Sequence, residues 1–331
     1  MDDRVSNGQP AIRFEQVTTI YRGASEPAVR DITLSVMPGE LVVLLGPSGC
    51  GKTTLLKMVN RLIEPSAGRI YLNGTPIDQV DAPELRRGIG YVIQQTGLFP
   101  HMRVADNVAV VPRLLGWDKR RTSARIDELL ELVGLPPEQF RRRYPAQLSG
   151  GQQQRVGLAR ALAGDPEMIL MDEPFGALDA ITRSRLQDEL LEIHQRLRKT
   201  VLFVTHDIEE AVKLADRIVV MNAGRIEQYD TPLEIILNPA NAFVARLVGA
   251  GDVLRRLSLI RVETIAQPLN GTAVDGLPVV LIGSDARAAL NLLLAGDDDA
   301  VVVQDDDGQP LGLVDLDVIQ AVSGETGRLQ A

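Results

Sequence analysis

The sequence predicts an α/β fold with a parallel core sheet, followed by a smaller α+β module. Three observations carry this. Short apolar runs at 40–46 (ELVVLLG), 168–173 (MILMDE) and 200–206 (TVLFVTH) are of the kind found in strands buried on both faces. Helix-patterned stretches alternate with them, the arrangement of parallel strands joined by crossover helices. After Gly251 the composition turns acidic, with Asp297–Asp299 and Asp305–Asp307 in close succession, which marks a second module.

Taken in order, residues 12–21 (IRFEQVTTIY) and 31–36 (DITLSV) alternate in polarity and read as antiparallel strands. The run at 40–46 is followed by a glycine-rich loop and the helix TTLLKMVNRLI, and IGYVIQ (89–94) is a further buried strand. Residues 101–147 are rich in arginine, helix-prone and free of any buried-strand run, which predicts a helical subdomain over about 101–150 inserted between two halves of the sheet. Leu186, Leu190, Ile193 and Leu197 follow helical spacing on one face. RIVVMNAGRIEQYD (217–230) predicts a hairpin around Asn222–Gly224, and the stretch after it predicts two short helices closing the first domain near Gly249. The domains expected are therefore 1–249 and 250–331. The second reads as helix (DARAALNLLL), strand (AVVVQ), Asp-Gly turn, strand (LGLVDL) and a final short helix.

Composition narrows the function. The chain has 331 residues, 45% hydrophobic and 24% charged, as in an ordinary globular protein with a full core. A net charge of −9 argues against nucleic acid as a partner, because such binding is built on phosphate neutralisation. The single cysteine, Cys50, excludes an internal disulfide and fits a reducing compartment. No apolar run approaches the roughly 18 residues needed to cross a bilayer, and the polar start MDDRVSNGQP has no signal-peptide core. Work at a membrane would require an integral partner.

The chemistry lies in three motifs. Gly46-Pro47-Ser48-Gly49-Cys50-Gly51-Lys52-Thr53 fits the phosphate-binding P-loop pattern and lies between a strand and a helix, the context the pattern requires. Its backbone N–H groups and the helix start favour an anion. Lys52 suits the β- and γ-phosphates of ATP and Thr53 a Mg²⁺ ion, and Thr54 completes the nucleotide-binding set. MILMDE ends in two acids: Asp172 is the expected holder of Mg²⁺ and Glu173 the candidate general base for water. Leu148-Ser149-Gly150-Gly151-Gln152 opens a second helix and so forms a second anion-binding helix start. Two such starts in one subunit suggest a dimer in which each closes on the partner's nucleotide. Nothing in their surroundings supports a chemical role for His101 or His194, and His194 reads as a surface residue of its helix.

These motifs, with Gln94, Ala177-Leu178-Asp179 and His206 in the same order, resemble those of ATP-binding cassette (ABC) subunits over residues 12–248. The resemblance implies the P-loop nucleotide-hydrolase cassette, with its parallel core sheet, antiparallel β subdomain and helical subdomain. It implies that Tyr21 stacks on adenine and that Gln94 touches Mg²⁺ and the attacking water. It further implies that Asp179 reaches across the dimer and that His206 meets the γ-phosphate. YVIQQTGLFPHM, FGALDAITR and NPANAFVARLVG resemble the glycine betaine/carnitine/choline importers. That implies a homodimeric ATPase on the cytoplasmic face of the inner (cell) membrane, bound to integral permease subunits and served indirectly by an extracytoplasmic solute-binding protein. Importers of sugar, polyamine or sulfate are the nearer alternative, and a soluble, non-transport ABC ATPase the further one. The tail resembles one cystathionine β-synthase (CBS) type motif from about Val262 to Ile319. Asp315 stands where nucleotide-binding versions often carry Ser or Thr, which leaves two readings: a ligand-responsive sensor, or a packing and dimerisation module.

Overall fold

The structure, a computed structural model, describes residues 8–94, 97–249, 252–269, 274, 276–296 and 298–323. Met1–Asn7, Gln95, Thr96, Gly251 and Asp297, on which parts of the sequence reading rest, lie outside the described residues. The chain divides into two compact units, Met1–Thr231 and Pro232–Ala331.

The strands of the first unit are β1 (Ile12–Thr19), β2 (Val29–Val36), β3 (Leu41–Leu45), β4 (Ala67–Leu72), β5 (Thr75–Pro76), β6 (Ile89–Val92), β7 (Met168–Asp172), β8 (Thr200–Thr205), β9 (Arg217–Asn222) and β10 (Arg225–Asp230). Among the described residues they form two sheets, ordered β2-β1-β4-β5 and β10-β9-β3-β8-β7-β6. The second is the parallel core: β3 runs parallel to β8 and β9, and β7 to β6 and β8. Every residue of β3, β7 and β8 is buried, which is why each reads as an unbroken apolar run. The hairpin expected around Asn222–Gly224 forms, with Arg225 opposite Asn222. β4 was not foreseen. In AGRIYL only Ile70 is fully buried, because the strand lies in a sheet with one face partly open.

α1 (Lys52–Val59) fills the space between the two sheets. Its Leu55, Leu56, Met58 and Val59 are wholly buried and join one core with Phe14 and Ile32 of the antiparallel sheet and Val42 and Leu44 of the parallel sheet. The P-loop at the start of α1 is thereby fixed to the core. Leu56→Ala should cost about 2–5 kcal/mol of stability, the range for emptying a packed leucine site, read as a lower urea midpoint with unchanged slope.

After α2 (Ala82–Arg87) and β6, the stretch expected to be helical over about 101–150 holds α3 (Val104–Val108), α4 (Val110–Leu114), α5 (Lys119–Leu132) and α6 (Pro137–Phe140), and α7 (Gly150–Leu162) begins where that stretch ends. In α5 the buried Thr122, Ile126, Leu129 and Leu130 form one inward stripe. α8 (Ala180–Leu197) buries Leu186, Leu190 and Ile193 as its spacing predicts, with Leu197 half-buried. His194 departs from expectation: it is buried, and its Nε2 lies 3.1 Å from the carbonyl oxygen of Lys199. The ring ties the end of α8 to the turn that leads into β8, a role that a single histidine in a polar helix does not announce. α9 (Ile208–Leu214) precedes the hairpin.

The second unit holds α10 (Pro232–Leu237), α11 (Ala242–Val248), α12 (Val253–Leu257), α13 (Val262–Ile265), β11 (Val279–Leu281), α14 (Ala286–Ala295), β12 (Ala300–Gln304), β13 (Pro310–Asp315) and α15 (Leu316–Ser323). The strands form a sheet ordered β11-β12-β13, parallel then antiparallel, over a core of Val280, Val301, Val303, Val314, Ala289 and Leu293. β11 was missed because it has three residues, only one of them buried. The division at Thr231 differs from the boundary read near Gly249. Leu233 of α10 packs against the core of the second unit, so these helices cluster with the tail although their composition resembles what precedes them. Among the described residues no helix is long and apolar enough to cross a membrane.

Candidate nucleotide site

Sheet order brings the motifs together. Leu45 at the end of β3 is in register with Thr205 of β8, Val204 with Asp172 of β7, and Met171 with Val92 of β6. The P-loop, His206, Asp172–Glu173 and Gln94 therefore leave the carboxyl ends of neighbouring parallel strands, where ligands bind in open α/β sheets.

Gly46–Gly51 link β3 to α1. Gly51 caps α1 at φ 107°, and a Cβ there would lie 2.4 Å from the carbonyl oxygen of Ala28, so only glycine fits. Lys52 is buried, and its Nζ donates to the carbonyls of Gly46 (2.7 Å) and Pro47 (2.9 Å). Cys50 is buried 3.8 Å from that ammonium; burial pushes its thiol pKa up and outweighs the opposing pull of Lys52. A thiol held protonated suits a small loop residue rather than a nucleophile. Ser48 and Gly49 are exposed along the loop. The Tyr21 hydroxyl lies 3.0 Å from Thr54 Oγ1, and its ring is 45% exposed, so it stands beside the P-loop helix and does not serve as core.

Thr53 Oγ1 donates to Asp172 Oδ1 at 2.8 Å. Burial raises the Asp172 pKa, partly offset by that hydrogen bond. Among the described residues no group of three His, Cys, Asp or Glu could hold a metal by itself. A hydroxyl beside one carboxylate does fit Mg²⁺, a hard cation that usually takes its other ligands from phosphate and water.

Glu173 sits in the left-handed region at φ 44°, unusual for a residue with a side chain. Its N–H donates to Val204 O (3.0 Å) and its carbonyl accepts from Gly176 N–H (3.2 Å), which hold that conformation. Such backbone strain costs on the order of 1–3 kcal/mol and clusters at functional sites. Gln94 Nε2 donates to Glu173 Oε2 at 3.1 Å, and His206 Nδ1 lies 3.3 Å from Glu173 Oε1. The three residues singled out for hydrolysis thus meet on one carboxylate.

Ser149 caps α7 in a capping box: its Oγ accepts from Gln152 N–H (3.3 Å), and its own N–H donates to Gln152 Oε1 (3.0 Å). Leu148 is buried beneath the turn, while Ser149 and Gly150 are exposed. A Cβ on Gly151 would come 2.9 Å from Thr182 Cγ2, so the starts of α7 and α8 approach closely. Asp179 caps α8, accepting from Thr182 N–H at 3.0 Å, and that bonding lowers its carboxyl pKa. Arg183 and Asp207, which pair between α8 and the loop after β8, were not singled out in the sequence. Arg183 closes the segment FGALDAITR, but the resemblance assigns that position no role.

A family model described as ABC transporter matches residues 29–176. The glycine betaine/carnitine/choline transport ATP-binding protein OpuCA of Bacillus subtilis (strain 168) is 48% identical over 308 residues, covering 93% of this chain and 79% of the relative. The sulfate/thiosulfate import ATP-binding protein CysA 2 of Chromobacterium violaceum is 53% identical over 229 residues, covering 69% of this chain and 61% of the relative. Among solved structures, a dimeric post-hydrolysis state of the ATP-binding cassette MJ0796 bound to ADP and Pi aligns with a TM-score of 0.60 and 35% identity, over 67% of this chain and 98% of that one.

Proposed function

Because this chain belongs to the ABC transporter ATP-binding proteins, ATPases that drive transport, we propose that it energises import of a quaternary-amine osmoprotectant such as glycine betaine, choline or carnitine. One observation carries the choice of solute. The likeness to the glycine betaine/carnitine/choline relative covers 93% of the chain and so extends into the tail, whereas the sulfate relative, though more identical, covers 69%. In this reading two copies form a homodimer on the cytoplasmic face of the cell membrane. They act on integral permease subunits that receive solute from an extracytoplasmic binding protein.

The chain's own groups supply most of the mechanism. Tyr21 stacks on adenine. The P-loop N–H groups and Lys52 hold the phosphates, Lys52 exchanging its two carbonyl partners for phosphate oxygens. Thr53, Asp172 and Gln94 would hold Mg²⁺, which when bound neutralises phosphate charge. Glu173 orients a water and takes its proton, and His206 donates to the γ-phosphate. Ser149 and the N-terminus of α7 cover the nucleotide of the partner subunit, with Asp179 at the same seam. Phosphoryl transfer needs mainly positioning and charge neutralisation, which this set provides. The test is ATP-driven uptake into proteoliposomes holding the cognate permease. Uptake of quaternary amines supports the reading; uptake of sulfate or sugar alone rejects the solute class.

The tail we read as a CBS-type regulatory or dimerisation module, with residues 1–249 as the catalytic domain. α11 ends at Gly249 in the left-handed conformation, a natural stop. A chain ending there should lose the cover over Leu233, and with it some thermal stability, yet still hydrolyse ATP. If the tail senses ionic strength, the full-length and shortened subunits should give diverging transport curves across a salt series, because screening shortens charge interactions to about 8 Å at physiological salt. Parallel curves would leave a structural module.

A further inference from the structure

We propose that Arg183 is a positioning residue that locks the loop carrying His206 to the loop carrying Asp179. The group facing one nucleotide and the group facing the partner subunit's nucleotide would then move as one body. This rests on the ATPase reading above.

Arg183 lies in the first turn of α8, and its backbone N–H donates to the carbonyl of Asp179 at 2.9 Å. Its guanidinium forks. Nη2 donates to the carbonyl of Leu178 at 3.1 Å, and Nη1 pairs with Asp207 Oδ2 at 3.4 Å. One planar group therefore grips the residue just before Asp179 and the residue just after His206. Asp207 is itself fixed: its Oδ1 accepts from Glu209 N–H (2.9 Å) and Glu210 N–H (3.3 Å), and its own N–H donates to Thr205 Oγ1 (3.0 Å). One turn further along α8, the buried Gln187 donates to the buried Glu210 at 3.1 Å, pinning α8 to α9. With the helices pinned, Arg183 reaches both loops. Its buried Nε has no hydrogen-bond acceptor among the described residues, an unmet donor tolerated in a fork held by its two outer nitrogens. Lysine could reach one of these acceptors but cannot fork between both.

The experiment measures ATP affinity and turnover of the full-length chain, assembled with its permease, for Arg183→Ala, Arg183→Lys, Asp207→Asn and the double variant Arg183→Ala/Asp207→Asn. Asp207→Asn keeps the helix-capping oxygen but turns an amide N–H toward the guanidinium, so it breaks the link without removing the cap. Arg183→Ala should lower kcat by roughly 10- to 100-fold, the scale of a small misplacement at a distance, with ATP Kd nearly unchanged. Arg183→Lys should recover part of kcat. Asp207→Asn should match Arg183→Ala, and the double variant should be no worse than either, since both remove one link. Wild-type kcat in Arg183→Ala, multiplying losses in the double variant, or a loss carried by Kd would overturn the proposal. If Arg183→Ala fails to fold, Arg183→Lys and Asp207→Asn carry the same comparison. A Glu173→Gln control separates the two readings: if that variant hydrolyses ATP normally, the ATPase assignment of the site fails; if it is inactive while the Arg183 and Asp207 variants are not, only the link fails.

Discussion

Glu173→Gln should bind ATP normally and lose turnover by on the order of 10²-fold or more, the scale of removing a general base. The amide keeps the size of the carboxylate and can still accept from Gln94 Nε2, now 3.1 Å from Glu173 Oε2. What goes is the capacity to take a proton from water. Lys52, Thr53 and the P-loop are untouched, so the variant should also accumulate as an ATP-bound dimer, visible by size-exclusion chromatography. Near-wild-type hydrolysis in the assembled transporter would remove Glu173 from its role, whatever its backbone strain.

Lys52→Ala should have a different signature, losing affinity as well as turnover. The ammonium is buried against the Gly46 and Pro47 carbonyls at 2.7 and 2.9 Å, so it braces the loop, and under the proposed reading it turns to phosphate oxygens when nucleotide binds. Removing it leaves those carbonyls short of a donor and the phosphates short of a positive charge. A charge-assisted contact of this kind contributes about 1.5–3 kcal/mol, so ATP Kd should rise by roughly 10- to 150-fold. Calorimetry with a non-hydrolysable analogue reads this directly; an unchanged Kd would contradict the assignment of Lys52 to the phosphates.

The contrast between these variants shows what the sequence could carry. The P-loop is local: a strand, a turn and a helix start lie within one short stretch, so its geometry can be read from the sequence pattern. The buried strands β3, β7 and β8 were legible because helices on both faces leave no polar side. The meeting of Gln94, Glu173 and His206 was not, because it depends on β8 inserting between β3 and β7 although it follows both in the chain. No local pattern encodes that order; the family resemblance implies separate roles for Gln94 and His206 but not their contacts with Glu173. β4 and β11 were missed because neither has a buried run long enough to stand out. His194 reads as a surface residue in sequence because its hydrogen bond to Lys199 arises only when the chain turns back into β8.

The capping box at the start of α7 has a bearing on dimer assembly. Ser149 and Gln152 satisfy each other with neutral groups, and the first turn of the helix carries no acidic side chain. The turn is already rigid, so docking there loses little conformational entropy. Its partial positive charge has no acidic counterweight within the turn. Under the reading proposed here, the anion that answers that charge is the partner-bound γ-phosphate, so the seam between subunits works as a charge-reading latch. Cleavage of one phosphate then acts as an unlatching step, and the lifetime of the closed dimer should shorten with added salt as well as with hydrolysis.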